Sequence, residues 1–332
     1  MRAFVYDHYG PPEVLHLADV PKPTPRSDEV LVKILAVAVT RADCATRDAN
    51  RKSGRAVAIV SRVLFGFGAP RQAILGKDFA GRIEEVGSAV TRFQVGDEVF
   101  GSTGFRFGAH AEYLAVKESS PIALKPTASS FVDAAAVTDG GIYALGPLRA
   151  AHIQKGDQVL VYGASGAIGT SGVQLAKHFG AEVTAVCNTR NLDLMKSLGA
   201  DHVIDYLHED FTKNGKTYDV IFDAVGKHSF RRCEGSLKRG GTYLPTDNFE
   251  NVVLTLRPRP RDGKRVLFLA GVAGDAVPFL RNLVEAGEFR PVIDRTYPFD
   301  EMVEAVRYVE TEQKVGNVIL TIAETRDRAS SG

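Results

Sequence analysis

The second half of the chain alternates short apolar segments with segments of helical length, and this alternation restricts the possible folds more than any other feature. In chain order from about residue 127, the apolar segments read QVLVYG, EVTAVC, HVIDY, YDVIFDAVG, GGTYLP and RVLFLAG. Strands that are apolar on both faces and are separated by helices are typical of a parallel sheet covered on both sides. The pattern therefore predicts a doubly wound α/β domain.

Residues 1 to about 126 follow a different pattern. Apolar or alternating runs, separated by Pro and Gly, occur there at EVLVKILAVAV (29–39), AGRIEEVG (80–87), DEVFG (97–101) and AEYLAV (111–116). Such runs predict a mostly β region. Because 332 residues also exceed the usual length of one domain, we expect two domains.

The first apolar segment of the second half runs into a loop with a glycine at every third position. The stretch VLVYGASGAIG covers residues 159–169 and precedes a helical pattern with Leu175 on its apolar stripe. A strand, a glycine turn and a helix N-terminus direct free backbone N–H groups and the positive end of the helix dipole at a pyrophosphate. We therefore predict a dinucleotide site that includes Gly163, Ser165, Gly166, Ala167, Ile168 and Gly169.

Two other interpretations of this loop have less support. A nucleophile elbow would require G-x-S-x-G around Ser165, but Ala167 stands where the last glycine should be. An isolated motif of this kind is often only a glycine turn without a ligand. The motif at 163–169, however, lies within a series of alternating strands and helices.

The residues after the second strand of the series indicate which dinucleotide is bound. An acidic residue about 20 positions past the glycine loop would hydrogen-bond the ribose of NAD. This chain instead has Asn188, Thr189 and Arg190, which are donors suited to a 2′-phosphate. The pattern favours NADPH, and the alternative is that Arg190 is only a solvated surface residue.

Composition argues against several classes of function. Lys plus Arg number 41 and Asp plus Glu 40, so a net charge of +1 offers no global attraction for nucleic acid or an anionic membrane. The chain has no apolar run of transmembrane length, and MRAFVYDHYG lacks the core of a signal peptide. Cys44, Cys187 and Cys233 are far apart, which argues against disulfides and a cysteine-built zinc site. We expect a cytoplasmic protein that binds a small molecule and neither nucleic acid nor a membrane.

Six motifs in order resemble the medium-chain dehydrogenase/reductase superfamily, in its zinc-free, quinone-oxidoreductase-like branch. They are GKDFAGRIEEVG (76–87), VGDEVFG (95–101), GASGAIG (163–169), QLAKHFGAEVTAVC (174–187), GADHVIDY (199–206) and DAVG (223–226). The resemblance extends from residue 1 to about 322. It implies a GroES-like, mostly β catalytic domain (1–126 and 272–332) packed on a Rossmann domain (127–271), with the nicotinamide in the cleft between them.

The resemblance also implies further contacts with the cofactor and with a partner. Lys177 and Tyr206 correspond to contacts of the adenosine phosphate, while Val225, Phe268 and Leu269 correspond to neighbours of the nicotinamide. The family further suggests a homodimer joined through the edge strand RVLFLAG.

Two positions differ from the zinc-dependent members of the superfamily. Those relatives have a Cys where this chain has Thr40 and a His where it has Lys77, and they carry a four-cysteine lobe that this chain lacks. Thr is a poor zinc ligand and protonated Lys is none. A single His such as His110 is more typical of a surface or hydrogen-bonded residue than of a rebuilt metal site. We therefore predict no metal.

The sequence thus predicts an NADPH-dependent, zinc-independent oxidoreductase that transfers hydride to a quinone, an enone or another activated carbonyl. Thr40, Lys77 and Tyr143 are the catalytic candidates, and Tyr143 replaces a Thr that the resemblance places near the nicotinamide. The alternatives without a catalytic role are that Lys77 pairs with Asp43 or Asp78 and that Tyr143 is a packing residue.

Two other functions stay open at this point. The chain could be a non-catalytic NADPH-binding sensor or scaffold, or an alcohol dehydrogenase of the same superfamily. Residues 49–72 are expected to form a helix and loop in the wall of the cleft, but the identity of the substrate does not follow from them.

Overall fold

The chain folds into two compact units. A computed structural model describes residues 1–50, 55–246, 254, 262–268 and 274–323. One unit combines Met1–Thr138 with the C-terminal segment from Ile293, and the other covers Asp139–Val292. The structure thus divides the chain near residues 138 and 293, whereas the sequence pattern placed the divisions near 126 and 272.

The N-terminal part of the first unit consists mainly of strands. Its elements are β1 (Arg2–Val5), β2 (His16–Asp19), β3 (Glu29–Ala38), α1 (Arg41–Arg47), α2 (Arg55–Phe65), β4 (Asp78–Val86), β5 (Glu98–Ser102), β6 (Tyr113–Lys117) and β7 (Ile122–Leu124). β3 is buried along nearly its whole length and pairs antiparallel with both β4 and β6. An apolar run such as that of β3 is required where neighbours cover a strand on both faces.

The second unit contains the predicted parallel sheet. Its elements begin with a helix that starts in the first unit, and they are α3 (Phe131–Ala150), β8 (Gln158–Tyr162), α4 (Ala167–His178), β9 (Glu182–Cys187), α5 (Leu192–Ser197), β10 (His202–Asp205), β11 (Tyr218–Asp223), α6 (Phe230–Cys233), β12 (Leu237–Pro245), β13 (Arg265–Val266) and α7 (Ala276–Glu285). Within the described residues, six strands lie in the order β10-β9-β8-β11-β12-β13, and all pairs are parallel.

This strand order creates a switch point at the centre of the sheet. From β8 the chain proceeds outward to β9 and β10, and then returns to β11 on the other side of β8. The connections after β8 and β11 therefore diverge at the carboxyl ends of these two strands. Open α/β sheets bind their ligands at such a position.

The C-terminal segment completes the first unit. It forms β14 (Ile293–Pro298), α8 (Met302–Glu310) and β15 (Asn317–Thr321). β15 pairs antiparallel with β3, where Ile319 is opposite Ala38, and parallel with β14. In the described part of this unit, one sheet has the order β14-β15-β3-β4-β5-β7, and β6 pairs with β3 outside that path.

Each unit has its own apolar core. The first core joins residues from both ends of the chain, including Phe4, Phe79 and Met302. The second core joins strands of the parallel sheet, including Leu160 and Ile221. Among the helices that the structure describes, we find none with the length and apolar character needed to cross a membrane.

Candidate functional site

The glycine loop between β8 and α4 leaves open space at the start of the helix. Gly163 adopts a positive φ of 71°, which turns the chain sharply at the end of β8. Gly166 is the N-cap of α4, and no side chain caps the helix there. A Cβ on Gly166 would meet only the Gly163 carbonyl oxygen, at 3.8 Å. The first N–H groups of α4 are therefore available to an anion.

Close backbone packing fixes this helix in place. A Cβ on Gly169 would lie 2.2 Å from the carbonyl oxygen of Gly163, and a Cβ on Gly140 of α3 would lie 2.0 Å from the carbonyl oxygen of Ala167. Of the other predicted loop residues, Ala167 is buried, while Ser165 and Ile168 are half-buried. The loop therefore fits the phosphate cradle that the sequence predicted, with room only on the side of Gly166.

The turn after β11 lies against the same loop. Val225 occupies the space beside Gly163, because a Cβ on Gly163 would lie 2.5 Å from Val225 Cγ1. The fully buried carboxylate of Asp223 organises this turn and accepts hydrogen bonds from the N–H groups of Val225 (3.2 Å), Gly226 (2.9 Å) and His228 (2.9 Å) and from the Tyr243 hydroxyl (2.9 Å). The sequence analysis missed Asp223, although its place at the end of an apolar strand is a signal.

Four of the five predicted adenosine-phosphate residues, Asn188, Thr189, Arg190 and Tyr206, gather at the carboxyl ends of β9 and β10. Asn188 begins a short 3₁₀ turn, Thr189–Asn191, directly after β9. The Tyr206 N–H donates to the Cys187 carbonyl oxygen at 3.1 Å, which holds Tyr206 beside the end of β9. Arg190 is exposed and, within the described residues, has no hydrogen bond or ion pair through its side chain. It is thus available for a ligand phosphate.

An acidic residue lies close to this group. The Thr189 hydroxyl donates to the Asp205 carboxylate, and this hydrogen bond lowers the pKa of Asp205. The predicted contacts included Tyr206 at the end of β10 but not Asp205, the residue before it. Asp205 therefore carries a negative charge next to Thr189 at neutral pH.

Lys177 and Phe268 lie elsewhere in the unit. Lys177 is near the C-terminal end of α4, and its Nζ donates to both Asp201 oxygens (2.9 and 2.8 Å). Ten helical residues separate Lys177 from Ala167, which is about 15 Å along the axis. Phe268 is half-buried just after β13, and Leu269 lies outside the described residues. The roles implied for these three residues stay predictions.

In the first unit, a buried carboxylate joins the start of α1 to the segment before β4. Thr40 is the N-cap of α1, and both its N–H (2.9 Å) and its hydroxyl (2.7 Å) donate to Asp43 Oδ2. The Gly76 N–H donates to Asp43 Oδ1 at 3.0 Å. Asp43 thereby places Thr40 beside the residue that precedes Lys77. The T-x-x-D spacing of Thr40 and Asp43 is a capping-box signal that was not used in the prediction.

Lys77 and His110 are further buried polar residues close to Gly76. Lys77 Nζ lies 3.9 Å from Asp78 Oδ2, and both side chains are buried. A Cβ on Gly76 would lie 2.3 Å from His110 Cδ2, so the histidine ring is packed against Gly76. Its Nε2 lies 3.3 Å from the Ala38 carbonyl oxygen. Burial lowers the pKa of His110, although the charge of Asp43 acts in the opposite direction. The lowered pKa keeps the ring neutral at physiological pH.

This donor set does not match a zinc site. The Thr40 hydroxyl is bonded to Asp43, and Lys77 brings an ammonium group where a ligand would need a lone pair. Over the residues that the structure describes, no three or more His, Cys, Asp and Glu side chains come together in a metal-binding group.

Tyr143 belongs to α3 in the second unit. It is half-buried and lies one helical turn after Gly140, which abuts the first residue of α4. Tyr143 therefore lies on the helix that packs against the start of α4. Its role in the reaction stays a prediction.

Together, the switch-point glycine loop and the parallel sheet are typical of a dinucleotide-binding enzyme, in a chain that also has a mostly β unit. Comparison with known proteins agrees: residues 26–126 match the alcohol dehydrogenase GroES-like domain, and residues 198–320 match the zinc-binding dehydrogenase family. The chain belongs to the medium-chain dehydrogenase/reductase superfamily, and its relatives include quinone and alkenal oxidoreductases. The GroES-like and Rossmann fold predicted from the sequence is thereby confirmed.

Several relatives match over nearly the whole chain. The 2-methylene-furan-3-one reductase of Solanum lycopersicum is 36% identical over 96% of this chain and 79% of the relative. The chloroplastic NADPH-dependent alkenal/one oxidoreductase of Arabidopsis thaliana is 34% identical over the same two shares. Among solved structures, the quinone oxidoreductase from Coxiella burnetii has a TM-score of 0.85 and 28% identity, covering 97% of this chain and 99% of the other.

Proposed function

We propose that this chain uses NADPH to reduce quinones, enones or other activated carbonyls, and that it does so without zinc. The observation that carries the proposal is the presence of hydrogen-bonding groups at both metal-ligand positions, with Thr40 bonded to the buried Asp43 and Lys77 near the buried Asp78. The names of the relatives, which include an alkenal/one oxidoreductase and a furanone reductase, support the same substrate class.

The chemistry follows from the absence of a metal ligand set. Reduction of a simple ketone develops full charge on the oxygen next to the reacting carbon, and zinc would stabilise that charge as a Lewis acid. In a quinone or an enone, the charge spreads through the conjugated system to a more distant oxygen. One or two hydrogen-bond donors, each worth about 2.7 to 4 kcal/mol when well placed, then suffice.

Lys77 and Tyr143 are the donors that we propose for this charge. The Lys77 ammonium group can donate a hydrogen bond and hand on a proton, and the Tyr143 hydroxyl can do the same. The Thr40 hydroxyl already donates to Asp43 and accepts from the Asp43 N–H, so it has no proton left for a substrate carbonyl. We assign Thr40 to positioning Asp43, which bonds the residue before Lys77.

The cofactor would be held by groups of the second unit. NADPH supplies the hydride when it is bound. The uncapped start of α4 would receive its pyrophosphate, while Arg190 and Asn188 would receive its 2′-phosphate. Thr189 would lie beside that phosphate, with its hydroxyl proton held by Asp205. We assign Val225 to the nicotinamide end, because it lies directly against Gly163. Tyr206 would lie at the adenosine end.

We also propose a cytoplasmic homodimer. β13 is the last strand of the six-stranded sheet in the described part of the second unit. An edge strand offers unpaired backbone groups to a second copy of the chain.

The test is a substrate panel. We expect NADPH oxidation with quinones or enones to be far faster than NADP reduction with saturated alcohols. Tyr143→Phe and Lys77→Ala should lower kcat while leaving the Kd of NADPH nearly unchanged. Metal-independent oxidation of simple alcohols, with no turnover of any quinone or enone, would overturn the proposal. NADPH binding without any turnover would identify the chain as a cofactor-binding sensor or scaffold instead.

A further inference from the structure

A carboxylate lies directly beside the residues that we assign to the 2′-phosphate of the cofactor. Asp205 is the last residue of β10, and in the parallel pairing with β9 it is opposite Cys187. The carboxyl ends of the two strands are therefore level with each other. The turn that follows Asn188, directly after Cys187, passes next to Asp205.

Donors on both oxygens hold the Asp205 carboxylate in one orientation. The Leu207 N–H donates to Oδ1 at 3.0 Å, and the Thr189 hydroxyl donates to Oδ2. The side chain is 11% exposed. Because the hydrogen bond from Thr189 lowers the pKa of Asp205, the group is a carboxylate at neutral pH.

Little positive charge offsets this carboxylate before a ligand binds. Over the part of the chain that the structure describes, the one basic side chain in ion-pair contact with Asp205 is His208, whose Nε2 lies 3.8 Å from Oδ2. His208 is 77% exposed, and exposed pairs of this kind contribute little. A phosphate that touched Thr189 would lie within two hydrogen-bond lengths, about 6 Å, of the Asp205 carboxylate. Two negative charges at that distance repel each other.

The hydrogen bond to Asp205 also decides what Thr189 can offer a ligand. A hydroxyl group has one proton and two lone pairs. Since the proton of Thr189 is engaged with Asp205, only lone pairs are left for a ligand. A ribose 2′-hydroxyl can donate a hydrogen bond to those lone pairs, whereas a 2′-phosphate brings further acceptor oxygens. Thr189 in this state therefore suits NADH better than NADPH.

We propose that Asp205 is a specificity-determining residue that lowers the preference of this site for NADPH over NADH. It acts through its own charge and by fixing Thr189 as a hydrogen-bond acceptor, while Arg190 acts in the opposite direction. The site consequently accepts both cofactors. This inference rests on the proposed function, because it requires the adenosine end of the cofactor to bind at the ends of β9 and β10.

Calorimetric Kd values for NADPH and NADH test the proposal. Asp205→Asn removes the charge and releases the Thr189 proton, so we expect the Kd of NADPH to fall about threefold to tenfold and that of NADH to change less than about twofold. Asp205→Glu retains the charge and should keep the ratio of the two Kd values within about twofold of the wild-type ratio. The ratio is the quantity compared, because any loss of folded protein affects both titrations equally.

Asp157→Asn is the matched control. Asp157 also accepts a backbone N–H in a local turn, from Gln154 at 2.8 Å, but it precedes β8 at the opposite edge of the sheet. Its replacement removes the same charge and should leave both Kd values unchanged.

The outcomes separate this inference from the proposed function. An unchanged Kd ratio in Asp205→Asn, a ratio shifted toward NADH, or an equal shift in Asp205→Glu would overturn the inference and leave the proposed function standing. A wild-type chain that bound neither cofactor would overturn the proposed function and this inference with it.

Discussion

Val225 fills the space in which any side chain on Gly163 would have to lie. A Cβ at Gly163 would come within 2.5 Å of Val225 Cγ1, and Gly163 also has a positive φ of 71°. We expect Gly163→Ala to displace Val225, to lower NADPH affinity at least about tenfold and to lower the free energy of unfolding by roughly 2 to 5 kcal/mol. Fluorescence titration and urea unfolding measure these two effects.

Gly156 provides a control for backbone strain. It has a positive φ of 88° in the same unit, but a Cβ there would meet no atom within 4 Å. Gly156→Ala should therefore cost only about 1 to 2 kcal/mol of stability and leave cofactor affinity unchanged. Equal effects of the two substitutions on NADPH binding would show that Gly163 does not shape the cofactor site.

Arg190 should select NADPH over NADH. A charge-assisted hydrogen bond to phosphate contributes about 1.5 to 3 kcal/mol, so Arg190→Ala should weaken NADPH binding roughly tenfold to a hundredfold and NADH binding little. Calorimetry with both cofactors measures the difference. Arg239→Ala, which replaces another exposed arginine of the same unit, is the control. Equal losses for both cofactors in Arg190→Ala would contradict the assignment.

Zinc should be neither bound nor required. Thr40 and Lys77 stand where zinc ligands would be needed, and their polar atoms are engaged with Asp43 and Asp78. We expect elemental analysis of the purified protein to find far less than one zinc per chain, and we expect full activity after dialysis against a chelator. A tightly held zinc whose removal abolishes activity would refute this prediction.

His110 should make the protein less stable in mild acid. Because burial lowers the pKa of His110 in the folded state, the unfolded chain binds a proton first as the pH falls through about 6.5. Stability should therefore decrease below that pH, down to the lowered pKa, by at most about 1.4 kcal/mol per pH unit for one proton. The neutral variant His110→Gln should show a shallower pH dependence in urea unfolding.

His228, in the second unit, should affect stability in the same direction as His110, because burial also lowers the pKa of His228. For this reason the comparison of His110→Gln with the wild type, rather than the wild-type profile alone, isolates the effect. Identical pH dependence in the two proteins would show that His110 does not contribute.

The sheet of the second unit was predictable because parallel strands are buried on both faces. The central strands then appear as apolar runs, such as the one that precedes Gly163. The roles of Asp43 and Asp223 were only partly predictable, because one donor of each comes from a distant part of the chain. Gly76 follows Asp43 by 33 residues, and Tyr243 follows Asp223 by 20. Their local donors, such as Thr40 in the T-x-x-D capping box, could have been found from spacing.

The orientation of α2 was equally hidden. Its periodicity predicts an amphipathic helix, and the usual expectation is that the apolar side faces the core. The structure places Ser61 inward and Leu64 outward. Contacts of Asn50 with Ser61 and of Phe107 with Phe65 hold the inward side, and both partners lie outside the helix, where its periodicity gives no information.

The pairing of Ala38 with Ile319 sets an order of events during synthesis on the ribosome. Every residue of β8 to β13 emerges before β15 is made, so the parallel sheet can form while β3 still lacks one neighbour. A nascent chain that is paused at this stage exposes the apolar edge of β3 at Ala36–Ala38. A premature stop before Asn317 would yield a polypeptide with the complete glycine loop between β8 and α4 and an incomplete first unit.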